Sequence, residues 1–490
     1  MRDVKLRVAL SPRGRYSLAP GVGYGACIIH AFLLSAEPST LLPARWQMTV
    51  SLGTHIVLSC FGVAFPVMIY VVHGRGIRNR DEVALGLAQR WSKVAAVLFA
   101  VGAVSGTILS FEMGLLWPEF MRRFGDVIGL PFALEGIAFF LEAIFLGIYL
   151  YGWGRMPERL HRAMLVPIAG SGVVGTFCIL AVNGWMNSPS GFRVVDGRVV
   201  DVDPWAAMFN DAVWLQFLHM WIAAFMVVGF GVASVYAAGL LRGRDDARHR
   251  MGFVVPFAFA SVAALAQPAV GHMAGLRLAS AQPSKLAAME LSLDGERRAP
   301  LVIGGVIVDG KVRYGISIPL FGSIIARSDP NAALSGLHEI AADSRPSDGL
   351  ATAVHWSFQL MVSCGLALLA LAALYWLKRR RGRDLLASKP FLVAVVFAGP
   401  LAVVALELGW MTTELGRQPW IAFGVMRISD AVSTRSAIWA SFSVLVGIYM
   451  MMIAATILVL RSMARRWRAG APLDLPTPYS DTHRSTRGRA

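Results

Sequence analysis

Cysteine is scarce in this chain: four in 490 residues, Cys27, Cys60, Cys178 and Cys364, scattered through apolar segments without paired spacing. That excludes a disulfide frame and a cysteine-based zinc site, and leaves the thiols as small core residues. Charge is scarce too. Only 16% of residues are charged while 56% are hydrophobic, a balance foreign to soluble globular domains. Acids are the rarer sign, 30 against 46 Lys and Arg, for a net charge of +16. In a soluble protein that excess would suggest nucleic acid; here the basic residues alternate between loops, and no nucleic-acid partner is implied. Repeats between the two halves, which proton-coupled transporters of inverted-repeat type carry, are not seen.

What the sequence has is long apolar runs. Stretches able to cross about 30 Å of hydrocarbon lie near 49–72, 92–111, 128–151, 163–182, 213–241, 252–271, 353–377, 391–411 and 437–460. They predict an all-α integral membrane protein of nine transmembrane helices, divided into an N-terminal extension (1–45), six helices (46–271), a long connection (272–352), three helices (353–462) and a tail (463–490). Arg75, Arg78, Arg80 and Arg90 follow the first run, Arg155, Arg159 and Arg162 the third, Arg242, Arg244, Arg248 and Arg250 the fifth, and Lys378 to Arg381 with Arg383 the seventh. By the positive-inside rule these loops face the cytoplasm. The N-terminus and the long connection are then outside, and the C-terminus, with Arg461, Arg465, Arg466 and Arg468, is inside. In the extension, Arg2, Lys5, Arg7, Arg13 and Arg15 precede an apolar stretch at 21–36 that is short for a span. It reads as a signal-like segment or as sequence from an upstream start codon, and carries no assigned function.

Four groups of residues carry candidate chemistry. Glu135 and Glu142, seven apart in the third run, lie almost two turns apart on one helix face. Intramembrane acids are costly and mark functional paths, here a proton route. With that helix entering from outside, Glu142 is about 10 Å deeper than Glu135 at 1.5 Å per residue. His55 and His219 lie well within apolar runs, where a neutral imidazole either ligates iron or needs a hydrogen-bond partner. Met361 shares their expected depth, and histidine with methionine is an axial pair for low-spin haem; the absence of Cys-x-x-Cys-His excludes covalent c-type attachment. Lys285 and Glu290 stand five apart in the long connection, on what reads as a short interfacial helix or as an exposed ion pair. Glu414 and Arg417 stand three apart beside Trp410 and Trp420, either as an ion pair in an aromatic belt or as an acid for a metal and an arginine for a haem propionate.

Several motifs resemble one family, subunit I of the cytochrome bd-type quinol oxidases, over about 42–460. They are Ala181-Val-Asn-Gly-Trp-Met186, Phe111-Glu-Met-Gly114 with Trp117, the acid pair, Ser284-Lys-Leu-Ala-Ala-Met-Glu290, Ile316-Ser-Ile-Pro319, and Gly409-Trp410 with Gly416-Arg-Gln-Pro-Trp420. The resemblance implies His55 as an axial ligand of the oxygen-reducing haem, His219 and Met361 as ligands of low-spin haem b558, and Glu414 as ligand of high-spin haem b595. It implies Lys285 and Glu290 in quinol binding and oxidation, Glu135 beside the oxygen site, Glu142 in the proton route, and Arg417 and Trp410 in haem-propionate contact or structural support. It further implies a bacterial inner-membrane enzyme reducing O2 to water without pumping, working with a subunit II, a small accessory subunit in some members, and membrane lipid.

Some positions depart from better-known members. Gln359 stands where many have an arginine two residues before the b558 methionine, so an electrostatic partner of a haem is missing or replaced. The long connection is short in its C-terminal half, and the acid pair is one residue closer than in some members. Such features resemble the cyanide-insensitive branch, which leaves the third haem as haem d or a third b-type haem. Two other functions compete with this reading: a proton-coupled transporter, and a b-haem electron carrier that never meets oxygen.

Overall fold

The computed structural model describes residues 38–435 and 437–473; the extension through Glu37, with Cys27, and the tail from 474 lie outside the described residues. Among the described residues nine helices are long and apolar enough to span a bilayer. They are α1 (Leu41–Asn79), α2 (Glu82–Leu116), α3 (Pro118–Tyr151), α4 (Leu165–Asn187, entered through the short helix Glu158–Ala163), α5 (Val213–Leu241), α6 (Ala247–Ala281), α7 (Asp348–Arg380), α8 (Lys389–Leu415) and α9 (Ile438–Arg468). Most outrun their apolar stretches, because a helix tolerates polar residues once it leaves the hydrocarbon. Polar caps start several of them: Asp81 accepts from Ala84 N, Asp246 from His249 N and Ser347 from Leu350 N, satisfying amides that a first turn leaves unbonded.

α5 is the centre of the bundle. Two thirds (67%) of its apolar window is buried, against 11% for α2 and for α9, whose outer faces remain for lipid or another chain. Phe253 and Phe257 of α6, Tyr375 of α7 and Phe391 of α8 stack into one aromatic cluster.

The long connection is shorter and more ordered than its sequence suggests. α6 runs on to Ala281, so the link to α7 is 282–347, and it holds the short helix Pro283–Glu290 and an antiparallel hairpin of Leu301–Val308 with Lys311–Ile318. Asp309 and Gly310 turn the hairpin, both at positive φ, as a two-residue turn matched to strand twist requires. α7 clamps this hairpin: Thr352 Oγ1 accepts from Ile307 N, Trp356 Nε1 donates to Gly305 O, and Gln359 both accepts from Gly304 N and donates to Val302 O. Spans joined by such links alternate in direction, so the C-termini of α4, α6 and α8 gather at this loop end. The arginine-rich termini of α1, α3, α5, α7 and α9 gather at the other.

Candidate functional site

Six of the singled-out side chains meet a glycine of a neighbouring element. A β-carbon at Gly106 of α2 would stand 2.8 Å from His55 Cε1, and one at Gly62 of α1 would stand 3.0 Å from Glu142 Oε1. At Gly175 of α4 it would lie 4.0 Å from Glu135 Cγ, and at Gly271 of α6 3.4 Å from His219 Cε1. At Gly409 it would lie 3.1 Å from Met361 Sδ, and at Gly416 2.8 Å from Lys285 Cγ. At Gly106, Gly62, Gly409 and Gly416 the missing side chain makes room for these groups, whereas at Gly175 and Gly271 a β-carbon would make only ordinary contact. This pattern was not read from the sequence, because the facing residues are distant along the chain.

His55 on α1 is bonded through Nδ1 to Ser105 Oγ at 2.9 Å, so Nε2 is the ring nitrogen outside that bond. His219 on α5 has Gln267 Nε2 at 3.0 Å from its own Nε2, while its buried Nδ1 has no protein partner among the described residues. Met361 lies on α7 against α8. Because α1 and α7 extend past their apolar runs, His73 and His355 also lie on spanning helices and are buried. His355 Nδ1 and Nε2 face Met289 O at 2.7 Å and Gly304 O at 2.9 Å, a structural bridge between hairpin and short helix.

Glu135 and Glu142 share one face of α3, and among the described residues neither accepts a hydrogen bond. A further intramembrane acid, Glu407 of α8, approaches α1: a β-carbon at Gly53 would be 3.1 Å from its Oε2. The sequence reading assigned it nothing.

Lys285 and Glu290 do not form an exposed ion pair. Both are 4% exposed, under the hairpin and the start of α7. Lys285 Nζ donates to Asn187 Oδ1 at 2.6 Å, whereas Glu290 Oε2 is buried without a partner among the described residues. Burial, reinforced by the Arg417 guanidinium and opposed by Glu414, brings Lys285 down to about 7; burial alone lifts Glu290 to about 7. A small cavity lined by Pro283, Leu286, Arg327 and Leu334 adjoins Glu290.

Glu414, in the last turn of α8, accepts from Asn183 Nδ2 of α4 at 2.8 Å and from Arg417 Nη2 at 2.5 Å. Arg417 is 3% exposed, and among the described residues its Nε and Nη1 have no protein partner. This is no belt ion pair: it is a buried guanidinium with donors to spare for an anion. Trp410 packs half-buried against the main core.

The sequence model of the cytochrome bd terminal oxidase subunit I family matches residues 43–467. The chain belongs to this family. The bd oxidase structure from Geobacillus thermodenitrificans is 36% identical, covers 88% of this chain and all (100%) of its own, and superposes with a TM-score of 0.83. A Bacillus subtilis (strain 168) protein provisionally named a cytochrome bd menaquinol oxidase subunit I is 32% identical over 86% of this chain and 95% of its own length. The cytochrome bd ubiquinol oxidase subunit 1 of the same strain is 29% identical over 81% and 86%.

As a bd oxidase subunit I, the protein is a multi-pass membrane component of a haem-bearing terminal respiratory oxidase, a quinol oxidoreductase of a family that works with a subunit II. The transporter and the oxygen-blind electron carrier are thereby set aside. The residues present fit haem. Among the described residues no three His, Cys, Asp or Glu side chains converge, and a haem needs only one or two protein ligands. The unpartnered His219 nitrogen, the glycine opposite Met361 and the spare donors of Arg417 suit an iron and a propionate.

Proposed function

We propose that this subunit oxidises quinol at the loop end, on the outer face of the bacterial inner membrane, and draws the protons for O2 reduction from the cytoplasm without pumping. Its N-terminus is then outside and its C-terminus inside, as the arginine-rich ends favour. His219 and Met361 would hold haem b558, Glu414 haem b595, and His55 the oxygen-reducing haem, d-type or a third b-type. Bound haem supplies electron transfer and the iron at which O2 is reduced to water. The chain's own residues do the rest. Lys285 donates to a quinol oxygen, and Glu290, buried on the same short helix without a partner among the described residues, accepts the quinol proton. Glu142 passes protons toward Glu135, which holds them beside the oxygen site.

The observation that carries this reading is the burial of Lys285 and Glu290 on one short helix, the first bonded to Asn187 and the second bare among the described residues and lifted to about 7. A general base poised near neutrality suits proton abstraction. The test is the spectrum and kinetics of the purified two-subunit oxidase. Three haems, one reactive with carbon monoxide, are expected, with a higher quinol KM in Lys285→Ala and a lower kcat in Glu290→Gln at full haem content. Wild-type kinetics in both variants would return this helix to a structural role. A related subunit II and lipid cover the outer faces of α2 and α9 in this reading, a small accessory subunit being one further occupant.

A further inference from the structure

Between the short helix and the last turn of α8 runs a continuous chain of hydrogen bonds. Lys285 Nζ donates to Asn187 Oδ1 at 2.6 Å; Asn187 Nδ2 donates to Asn183 O at 2.8 Å and to its Oδ1 at 3.3 Å; Asn183 Nδ2 donates to Glu414 Oε1 at 2.8 Å. Gln282 Nε2 braces it from the side, donating to Asn187 O at 2.6 Å. Asn183 and Asn187 stand one helical turn apart near the end of α4, 8% and 4% exposed, so water does not short-circuit them. We propose that these two asparagines are a positioning relay that ties quinol-contacting Lys285 to the Glu414 carboxylate, so that events at the quinol site are felt at the residue holding the high-spin haem. This rests on the roles given above to Lys285 and Glu414.

The direction of every bond supports it. An ammonium can only donate and an ionised carboxylate can only accept. With Lys285 at one end, Asn187 must turn its oxygen to the lysine and its NH2 to Asn183. Asn183 must then turn its NH2 to Glu414. Each amide is locked by the charge at its end of the chain. A quinol hydroxyl drawing on the Lys285 proton changes what Asn187 meets, and the change reaches Glu414 as a weaker or stronger donor on Oε1. A hydrogen bond on a ligating carboxylate tunes its basicity, and losing such a partner costs about 10- to 100-fold in affinity or activity.

The test uses the purified oxidase with its partner subunit. Lys285→Ala and Asn187→Leu are expected to raise the quinol KM about tenfold, the loss of one charge-assisted bond, and to shift the high-spin haem absorption maximum although neither residue touches Glu414. Asn183→Leu should give the same spectral shift and lower kcat about tenfold with a smaller change in KM. Asn187→Asp keeps the acceptor for Lys285 and removes the donor to Asn183, so its band should move while its KM stays nearer wild type. It is isosteric, and decides the matter if the leucine variants fail to assemble. The low-spin band is the internal control for folding. A raised KM with the high-spin band at its wild-type position in Lys285→Ala and Asn187→Asp overturns the relay alone, whereas a wild-type KM in Lys285→Ala overturns the quinol reading on which it stands.

Discussion

The acids of α3 and the acid at the end of α8 are held in opposite ways. Glu414 accepts from both Asn183 and Arg417 and is bound through two asparagines to a lysine on another element. Glu135 and Glu142 accept nothing among the described residues, and each has a glycine of α4 or α1 opposite it. A polar group left unpaired in an apolar setting costs about 1–3 kcal/mol, so its persistence calls for a use. Tied groups keep a fixed geometry, which ligation and substrate binding need. Bare acids with room around them can change protonation state without breaking a network, which proton carriage needs. Glu290, buried five residues from wired Lys285 with one oxygen unpartnered among the described residues, falls in the second class.

The comparison breaks most visibly at the residues proposed to fix iron. His219→Ala or Met361→Leu is expected to remove the sharp low-spin band and to lower quinol oxidation at least a hundredfold, beyond the roughly 10- to 100-fold typical of residues that only support a ligand. Reduced-minus-oxidised spectra and oxygen uptake check it. An unchanged low-spin spectrum in both variants would sink the assignment.

The bare class is tested by Glu142→Leu, which should slow oxygen reduction about a hundredfold, within the range of a lost proton-transfer group, while quinol binding and the low-spin band stay intact. Glu135→Leu should add a shift in the oxygen-site spectrum. In proteoliposomes the wild type should acidify the outer side, and charge moved per electron should match opposite-side uptake and release with no pumped excess. A pumped excess would refute the path through these two acids.

Smaller effects are expected of Glu290 through pH. Its carboxylate form grows as pH rises through about 7, so quinol oxidation should climb there; the Lys285 ammonium fades as pH rises through about 7, so the rate should fall again above it. The profile is a bell. Glu290→Gln should lose the acid limb and Lys285→Ala the alkaline limb, and a bell that survives both substitutions assigns the titration elsewhere.

How far the sequence could be read follows the same division. Glu135 and Glu142 were legible because a seven-residue spacing on one helix needs no partner to be meaningful. The nine spans were legible because apolar length alone decides them. The wired site was not. Asn187 and Lys285 are 98 residues apart and Asn183 and Glu414 are 231 apart, so their bonds exist only after α4, α6 and α8 gather at one end. Lys285 and Glu290 read equally well as an exposed pair, since burial under a hairpin leaves no trace in an eight-residue helix. The asparagines were visible as part of a motif, but without the partners that give them a role.

Gln359 tests the smallest difference. By sequence it stands where an arginine would serve a haem; in the fold it pairs with the hairpin, accepting from Gly304 N at 2.7 Å and donating to Val302 O at 2.5 Å. Two bonds of this kind are worth about 1–3 kcal/mol together, spent locally on holding the hairpin over the short helix that carries Lys285. Gln359→Ala should therefore speed amide exchange of Val302 to Ile307 about tenfold and raise the quinol KM only a few-fold, with the low-spin band unmoved. Gln359→Arg keeps a donor for Val302 O but leaves Gly304 N unpaired, so it should loosen the hairpin less than the alanine. If the low-spin band moves in Gln359→Ala while hairpin exchange does not, the residue serves the haem after all, and the tied class loses its outermost member.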